Sequence, residues 1–204
     1  EESEARKSMM LNIFHDQRSP LFAVSSGLDT LEAAPDALPA LLPAMQQRMT
    51  FLRRLTEDLF LAAKLEQKQV MLNEDRVSLS DAAAAVCESC QNEAAKKGVT
   101  LTTRFDAELP VWGDAMRLQQ IVQNLVTNAI HYTPAGGTIT VHSFAAKGRA
   151  LVLVQDTGCG IAPEDQAAVF DRYFHTTADT KHDSTGLGLT IAQELAHLHY
   201  GEIT

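Results

Sequence analysis

The sequence predicts an α+β chain in which an N-terminal helical hairpin precedes a two-layer α/β sandwich. Two patterns carry that prediction. Through the first third, apolar residues recur at alternating spacings of four and three. Beyond a polar stretch at 68–75, segments of period two alternate with segments of helical period. Apolar residues make up 45% of the 204 and charged residues 21%, so a packed core is expected and wholesale disorder is not.

In the first helix, Met10, Phe14, Gln17, Leu21, Val24, Leu28 and Leu31 form a heptad seam interrupted once by Gln17. A proline-rich stretch, residues 33–43, is expected to break the helix. A second seam follows at Leu42, Met45, Met49, Leu52, Thr56, Leu59 and Ala63, flanked by Leu41, Phe51, Leu55, Ala62 and Leu65. A lone hairpin cannot bury faces that wide. The expectation is a homodimer in which two hairpins make a four-helix bundle.

The expected domains are residues 1–70, the dimerising hairpin, and residues 71–204, the sandwich. Within the second, helices are expected at 80–97, 114–132 and 186–199, and a strand at 99–105. A strand pair is expected at 138–144 and 150–155, joined by Lys147-Gly148.

The formal charge of −9 argues against nucleic acid as a partner. No window approaches the roughly 18 to 20 apolar residues of a membrane span. The start, Glu1-Glu2-Ser3-Glu4, is unlike a signal peptide. The expectation is a cytoplasmic chain that meets a membrane only through a longer parent. Cys87 and Cys90 form a C-x-x-C inside a helical pattern with Ala83, Val86 and Ala94, so they read as reduced core thiols.

The first chemical feature is FHDQRSPL, residues 14–21. His15 follows the seam residue Phe14 by one position, about 100° around the helix toward solvent. A neutral imidazole nitrogen is a nucleophile, and the adjacent Asp16 can take the proton of the other nitrogen. Arg18 is a candidate phosphate clamp. Ser19, four residues beyond His15 on the same face, can orient a water. Pro20 removes a donor to the carbonyl of Asp16 and crowds it, loosening that turn.

Three further segments suit a nucleotide. In QNLVTNAIHYTPAGG, Asn124 and Asn128 lie four apart on one helix face, with His131 and Tyr132 one turn on. Paired neutral amides can hold hydrated magnesium and phosphate oxygens without adding negative charge. In VQDTGCGIAPEDQAAVF, Asp156 ends an apolar strand, where it can accept from an exocyclic amine. Gly158 and Gly160 let backbone approach a planar base. Cys159 between them reads as a bystander. VFDRYF brings Arg172 and Tyr173, and a polar stretch at 175–184 reads as a lid. Gly186 and Gly188 in STGLGLTIAQELAHLHYG stand at a loop-to-helix junction, where free amides favour phosphate. Neither a Walker loop nor a Rossmann fingerprint is present.

FHDQRSPL resembles the acceptor box of sensor histidine kinases, whose commonest form has Glu at the position of Asp16 and Thr at that of Ser19. The order of the later motifs resembles the GHKL nucleotide domain. That domain is shared by histidine kinases, ninety-kilodalton heat-shock chaperones, mismatch-repair ATPases and type II topoisomerases. Together they make the histidine kinase branch the close match, over residues 11–204.

The resemblance implies ATP and magnesium as cofactors, with Asn124 and Asn128 at the metal and phosphates and Tyr132 against adenine. It implies that Asp156 reads the adenine amine, helped by Gly158 and Gly160. Arg172, Tyr173, Thr185, Gly186, Leu187, Gly188 and Leu189 would line the lid and phosphate side. His131 stands where Lys is common, and Ser184 replaces a frequent glycine. The family's final strands would lie beyond Thr204.

The implied activity is autophosphorylation of His15 and transfer to an aspartate of a response regulator, with phosphatase activity as a further expectation. The alternatives are a degenerate, ATP-binding dimeric scaffold and an ATPase of the same superfamily that makes no phosphohistidine.

Overall fold

A computed structural model describes residues 2–106, 108–174 and 185–204, with side chains described from residue 18 onward. The chain divides into two compact units. One takes in Glu1–Gln67 and, of the described residues further along, 185–187. The other takes in Lys68–Phe174 and Gly188–Thr204.

The first unit is a helical hairpin. Helix α1 spans Glu2–Ala33 and runs through Pro20. A single 3₁₀ turn, Pro35–Ala37, leads into helix α2, Leu38–Glu66. The break between the helices is therefore narrower than residues 33–43. Pro39 lies in the first turn of α2, where the backbone needs no donor, and Pro43 costs one internal bond without ending the helix. Gly27 and Met45 mark a close approach of the two helices: a Cβ on Gly27 would stand 3.0 Å from the Met45 sulfur.

The second unit begins with strand β1, Asp75–Ser78, where the sequence pattern marks no element and Asp75 ends the polar stretch. Helix α3 (Leu79–Lys97) follows, then strands β2 (Thr100–Phe105) and β3 (Pro110–Gly113), and helix α4 (Ala115–Tyr132). Strands β4 (Thr138–Ala146) and β5 (Arg149–Asp156) and helix α5 (Gly188–Leu198) complete it. β1 and β3 pair antiparallel as a two-stranded ribbon. The main sheet has the order β2-β4-β5, with β2 parallel and β5 antiparallel to β4. The β4–β5 connection is the tight turn at Lys147-Gly148. Both residues have positive φ (51° and 75°), the geometry that matches strand twist in a two-residue hairpin.

α3 and α4 cover one face of this sheet. Val86, Cys87 and Cys90 of α3 meet Val122, Val126 and Ile130 of α4 and Leu101, Ile139 and Val141 of the strands in one core. Strand β4 alternates as one covered face requires, with Ile139, Val141 and Ser143 fully buried. The buried Ser143 hydroxyl is paired with that of Ser80 at 2.8 Å, and Ser80 donates to the carbonyl of Asp106. Both core thiols are free, as read from their spacing. Burial pushes the Cys87 thiol up to about 11, with Cys90 adding to it, so Cys87 remains protonated near neutral pH.

Helix α4 is capped at both ends. Asp114 is its N-cap, accepting from the amides of Met116 (3.0 Å) and Arg117 (3.2 Å), and its second oxygen accepts from Asn73 (3.0 Å). At the C-terminus, Lys97 Nζ donates to the carbonyls of Ile130 and His131, where the helix dipole favours a cation. Partial burial pushes the Asp114 carboxyl upward, but its three amide donors and Arg117 outweigh that and hold it below its ordinary value.

Asp114→Ala should lower the unfolding free energy by about 1 kcal/mol at pH 7, read by urea titration with an unchanged slope. A folded carboxyl held below its unfolded pKa stabilises above the unfolded value. That stabilisation is lost as pH falls through the folded value, so the gap between the two proteins should close in acid.

Candidate functional site

The candidate site of the second unit is built on α4. Its apolar stripe faces the core, which leaves Asn124 and Asn128 on a flank rather than in the sheet interface. Asn124 is only 5% exposed, yet its amide is satisfied. Its Nδ2 donates to the carbonyl of Gly188, the first residue of α5, at 2.9 Å. The side-chain oxygen of Asn124 is thereby left as an acceptor, the atom type a hard cation takes. Asn128 is half-buried one turn further on.

The end of β5 meets the end of α4. Asp156 accepts the amide of Gly158 on its Oδ1 at 2.8 Å, which turns the loop back over the helix terminus. Gly158 cannot carry a side chain there. A Cβ would stand 2.7 Å from both Asp156 Oδ1 and the backbone oxygen of Tyr132. Gly160 has φ +72°, the left-handed region where glycine is at ease. Between these elements lies a cavity of about 300 Å³, lined by Lys97, His131, Tyr132, Thr133, Pro134, Thr157, Gly158 and Cys159. The His131 and Tyr132 rings meet edge to face at 4.7 Å.

The structure thus brings His131, Tyr132 and Gly158 together around one cavity, with Asp156 orienting the loop that walls it. Asn124 is brought instead to Gly188, and Asn128 and Asp156 do not line the cavity. Arg172 and Tyr173 are half-buried, and Tyr173 has φ +61°. The Arg172 guanidinium lies 3.7 Å from Glu194 of α5. Thr190 ties the first turns of α5 to the carbonyl of Phe170 at 2.8 Å. Leu189 is half-buried at the α5 start.

In the first unit, His15 and Asp16 lie on α1, with side chains outside the described residues, as the lid residues 175–184, Ser184 included, are altogether. Arg18 and Ser19 are exposed and Pro20 is buried. Thr185 and Leu187 are buried, and Gly186 has φ +62°. Thr185 donates its hydroxyl to Asp58 Oδ2 of α2 at 3.0 Å and accepts the amide of Leu187.

Asp58 was not singled out from the sequence. Its signal is a carboxylate set into the apolar spacing of Leu55, Leu61, Ala62 and Leu65, all of them buried. It is 6% exposed. Burial raises its pKa, against the pull of the Thr185 hydroxyl and of Arg54 and with a further push from Glu57. Lys97 was missed too, since its partners lie more than thirty residues along the chain.

The family described as histidine kinase-, DNA gyrase B-, and HSP90-like ATPase matches residues 113–204. The adaptive-response sensory kinase SasA of Synechocystis is 32% identical over 97% of this chain and 55% of its own length. The sensor histidine kinase RppB of the same organism is 32% identical over 98% of this chain and 46% of its own.

The chain carries a histidine kinase catalytic core.

This kinase core spans about half the length of those relatives. It also shares its fold with histidine kinase ThkA, solved in complex with the response regulator protein TrrA. The likeness has a TM-score of 0.72 at 20% identity and covers 95% of this chain and 55% of that one. The ATPase match begins at Gly113 and takes in α4, the β4–β5 hairpin and α5. Among the described residues no helix is long and apolar enough to cross a membrane, and no group of three or more His, Cys, Asp and Glu gathers as a metal would need.

Because the folded pKa of Asp58 is raised, its charge destabilises the fold. That penalty is absent below the unfolded value and sets in as pH rises through the folded one. Asp58→Asn keeps an acceptor for Thr185 and removes the charge. The variant should melt above the parent at pH 7 to 8, and the two melting curves should converge near pH 4.

Proposed function

We propose that this kinase core binds ATP on the α4 face of its second unit and phosphorylates its own His15. The supporting observation is the close packing of Gly158 against the end of α4. A Cβ has no room there, and Gly158 and Tyr132 both line the cavity of about 300 Å³. In the reading, Asp156 and Gly160 border the adenine with Tyr132, and the amides around Gly186, Leu187, Gly188 and Leu189 receive phosphate. Arg172, Tyr173, Thr185 and His131 would complete the nucleotide's surroundings, as the family motifs imply. Magnesium would be held by the carbonyl oxygens of Asn124 and Asn128, and would offset charge on the triphosphate.

One ring nitrogen of His15 donates its lone pair to the γ-phosphorus. The bond to the β,γ-bridging oxygen breaks and ADP leaves with that electron pair. Asp16 takes the proton from the second ring nitrogen, so the ring of the product is neutral and the negative charge stays on the phosphoryl oxygens. Arg18 offsets the charge of the transferred group. Pro20, inside α1, withholds a donor from the carbonyl of Asp16, the residue next to His15. The phosphoryl group then passes to an aspartate of a response regulator, as the ThkA–TrrA complex suggests for this chain. Ser19 orients water for the reverse, phosphatase step.

The reading includes a homodimer. The seam residues Leu21, Leu28, Leu42 and Met49 are 54%, 56%, 41% and 53% exposed in a single copy. A second hairpin would cover them. A cytoplasmic setting follows from ATP as donor and from the reduced thiols.

Incubation with γ-labelled ATP should attach an acid-labile, base-stable label to the parent chain and none to His15→Ala, whose ATP affinity should stay within about twofold. Gly158→Ala should weaken ATP binding by at least about tenfold, or 1.4 kcal/mol. Label persisting in His15→Ala would remove His15 as acceptor. ATP bound without any label in the parent would make the chain a nucleotide-binding scaffold.

A further inference from the structure

We propose that His199 is a positioning residue for the nucleotide, setting the axial register of α5 against α4 and thereby the place of the phosphate-side loop. The proposal rests on the reading that the second unit binds ATP.

His199 follows directly on α5. Its Nδ1 lies 2.7 Å from the carbonyl of Leu195, which can only accept. Its Nε2 lies 3.1 Å from the amide of Asp114, which can only donate. The two partners fix one form of the ring, neutral with the proton on Nδ1. The ring lies close against the chain at Gly113, where a Cβ would come within 2.6 Å of His199 Cδ2. The imidazole therefore joins the end of α5 to the N-cap residue of α4.

At its other end α5 is tied to the middle of α4, through Asn124 and Gly188. The buried residues between, Ile191, Ala192, Leu195 and Ala196, hold α5 by apolar contact. Such contact resists separation but is not directional, and it tolerates a small slide. Hydrogen bonds do not tolerate it, since they weaken steeply with distance and angle. A helix is also stiff along its axis. An axial slip at His199 would reach Gly188, about 16 Å away along eleven residues, almost undiminished. Gly188 is where the loop bearing Gly186 and Leu187 enters the helix. A displacement near 1 Å in a binding constellation is enough to lose much of its effect.

The test separates the tie between helices from a local role at the end of α5. In His199→Gln, the side-chain oxygen reaches the position of Nε2 and can accept from Asp114. In His199→Asn, the amide reaches only the position of Nδ1, so the bond to Leu195 is kept and the tie to α4 is lost. Val86→Ala, a core truncation on α3 away from both helix ends, controls for general loss of stability.

ATP dissociation constants are measured by calorimetry well below each melting midpoint. The asparagine variant should bind at least about fivefold more weakly than the parent, and the glutamine variant within about twofold. Val86→Ala should melt earlier with its affinity unchanged. Equal affinities for parent, asparagine and glutamine variants would overturn the proposal, as would an equal loss in Val86→Ala. A parent that binds no ATP would overturn the nucleotide reading itself.

Discussion

Helix α4 must satisfy two demands at once. One stripe of it, Val122, Val126 and Ile130, closes the core against the sheet, and a neighbouring stripe carries the amides of Asn124 and Asn128. A polar side chain so near an apolar seam is tolerated only when each donor has a partner, because an unpaired buried amide costs about 1–3 kcal/mol. For Asn124 that partner is the carbonyl of Gly188, and the bond joins the asparagine helix to the helix that follows the glycine loop. The caps extend the same logic. Asp114 collects three amides at one end, and Lys97 reaches across from α3 to two carbonyls at the other. With its ends and middle tied, α4 serves as the reference on which the β5 loop, the cavity and α5 are placed.

The glycines of the β5 loop belong to this arrangement. Gly158 lets the loop descend onto the carbonyl of Tyr132, and Asp156 holds that descent through its own short bond. The aspartate thus orients the loop. The cavity beside it includes Cys159, an exposed thiol with no paired cysteine.

Much of this was legible because it is local. Helical and strand periods marked α3, α4, β2, β4 and β5 within a few residues, and Lys147-Gly148 marked the hairpin. Asparagines spaced by four had to share a face. What escaped were short or long-range features. β1 and β3 are four residues each, and β3 begins with a proline, so neither shows a period of its own. Pro39 and Pro43 read as breakers, yet a helix's first turn has no use for the donor that proline lacks. Asp58, Lys97 and His199 take their meaning from partners 127, 33 and 85 residues away, a separation no local pattern encodes.

The central claim is that nucleotide is held on α4, against Asn124, Asn128 and Gly158. Side-chain and backbone amide resonances of a nitrogen-15 labelled chain, followed through an ATP titration with magnesium, address it most directly. The account predicts saturable shifts of the Asn124 and Asn128 side-chain amides and of the Gly158 backbone amide at one common affinity, with the amides of α3 left in place. Saturation that leaves those three groups unmoved would contradict it.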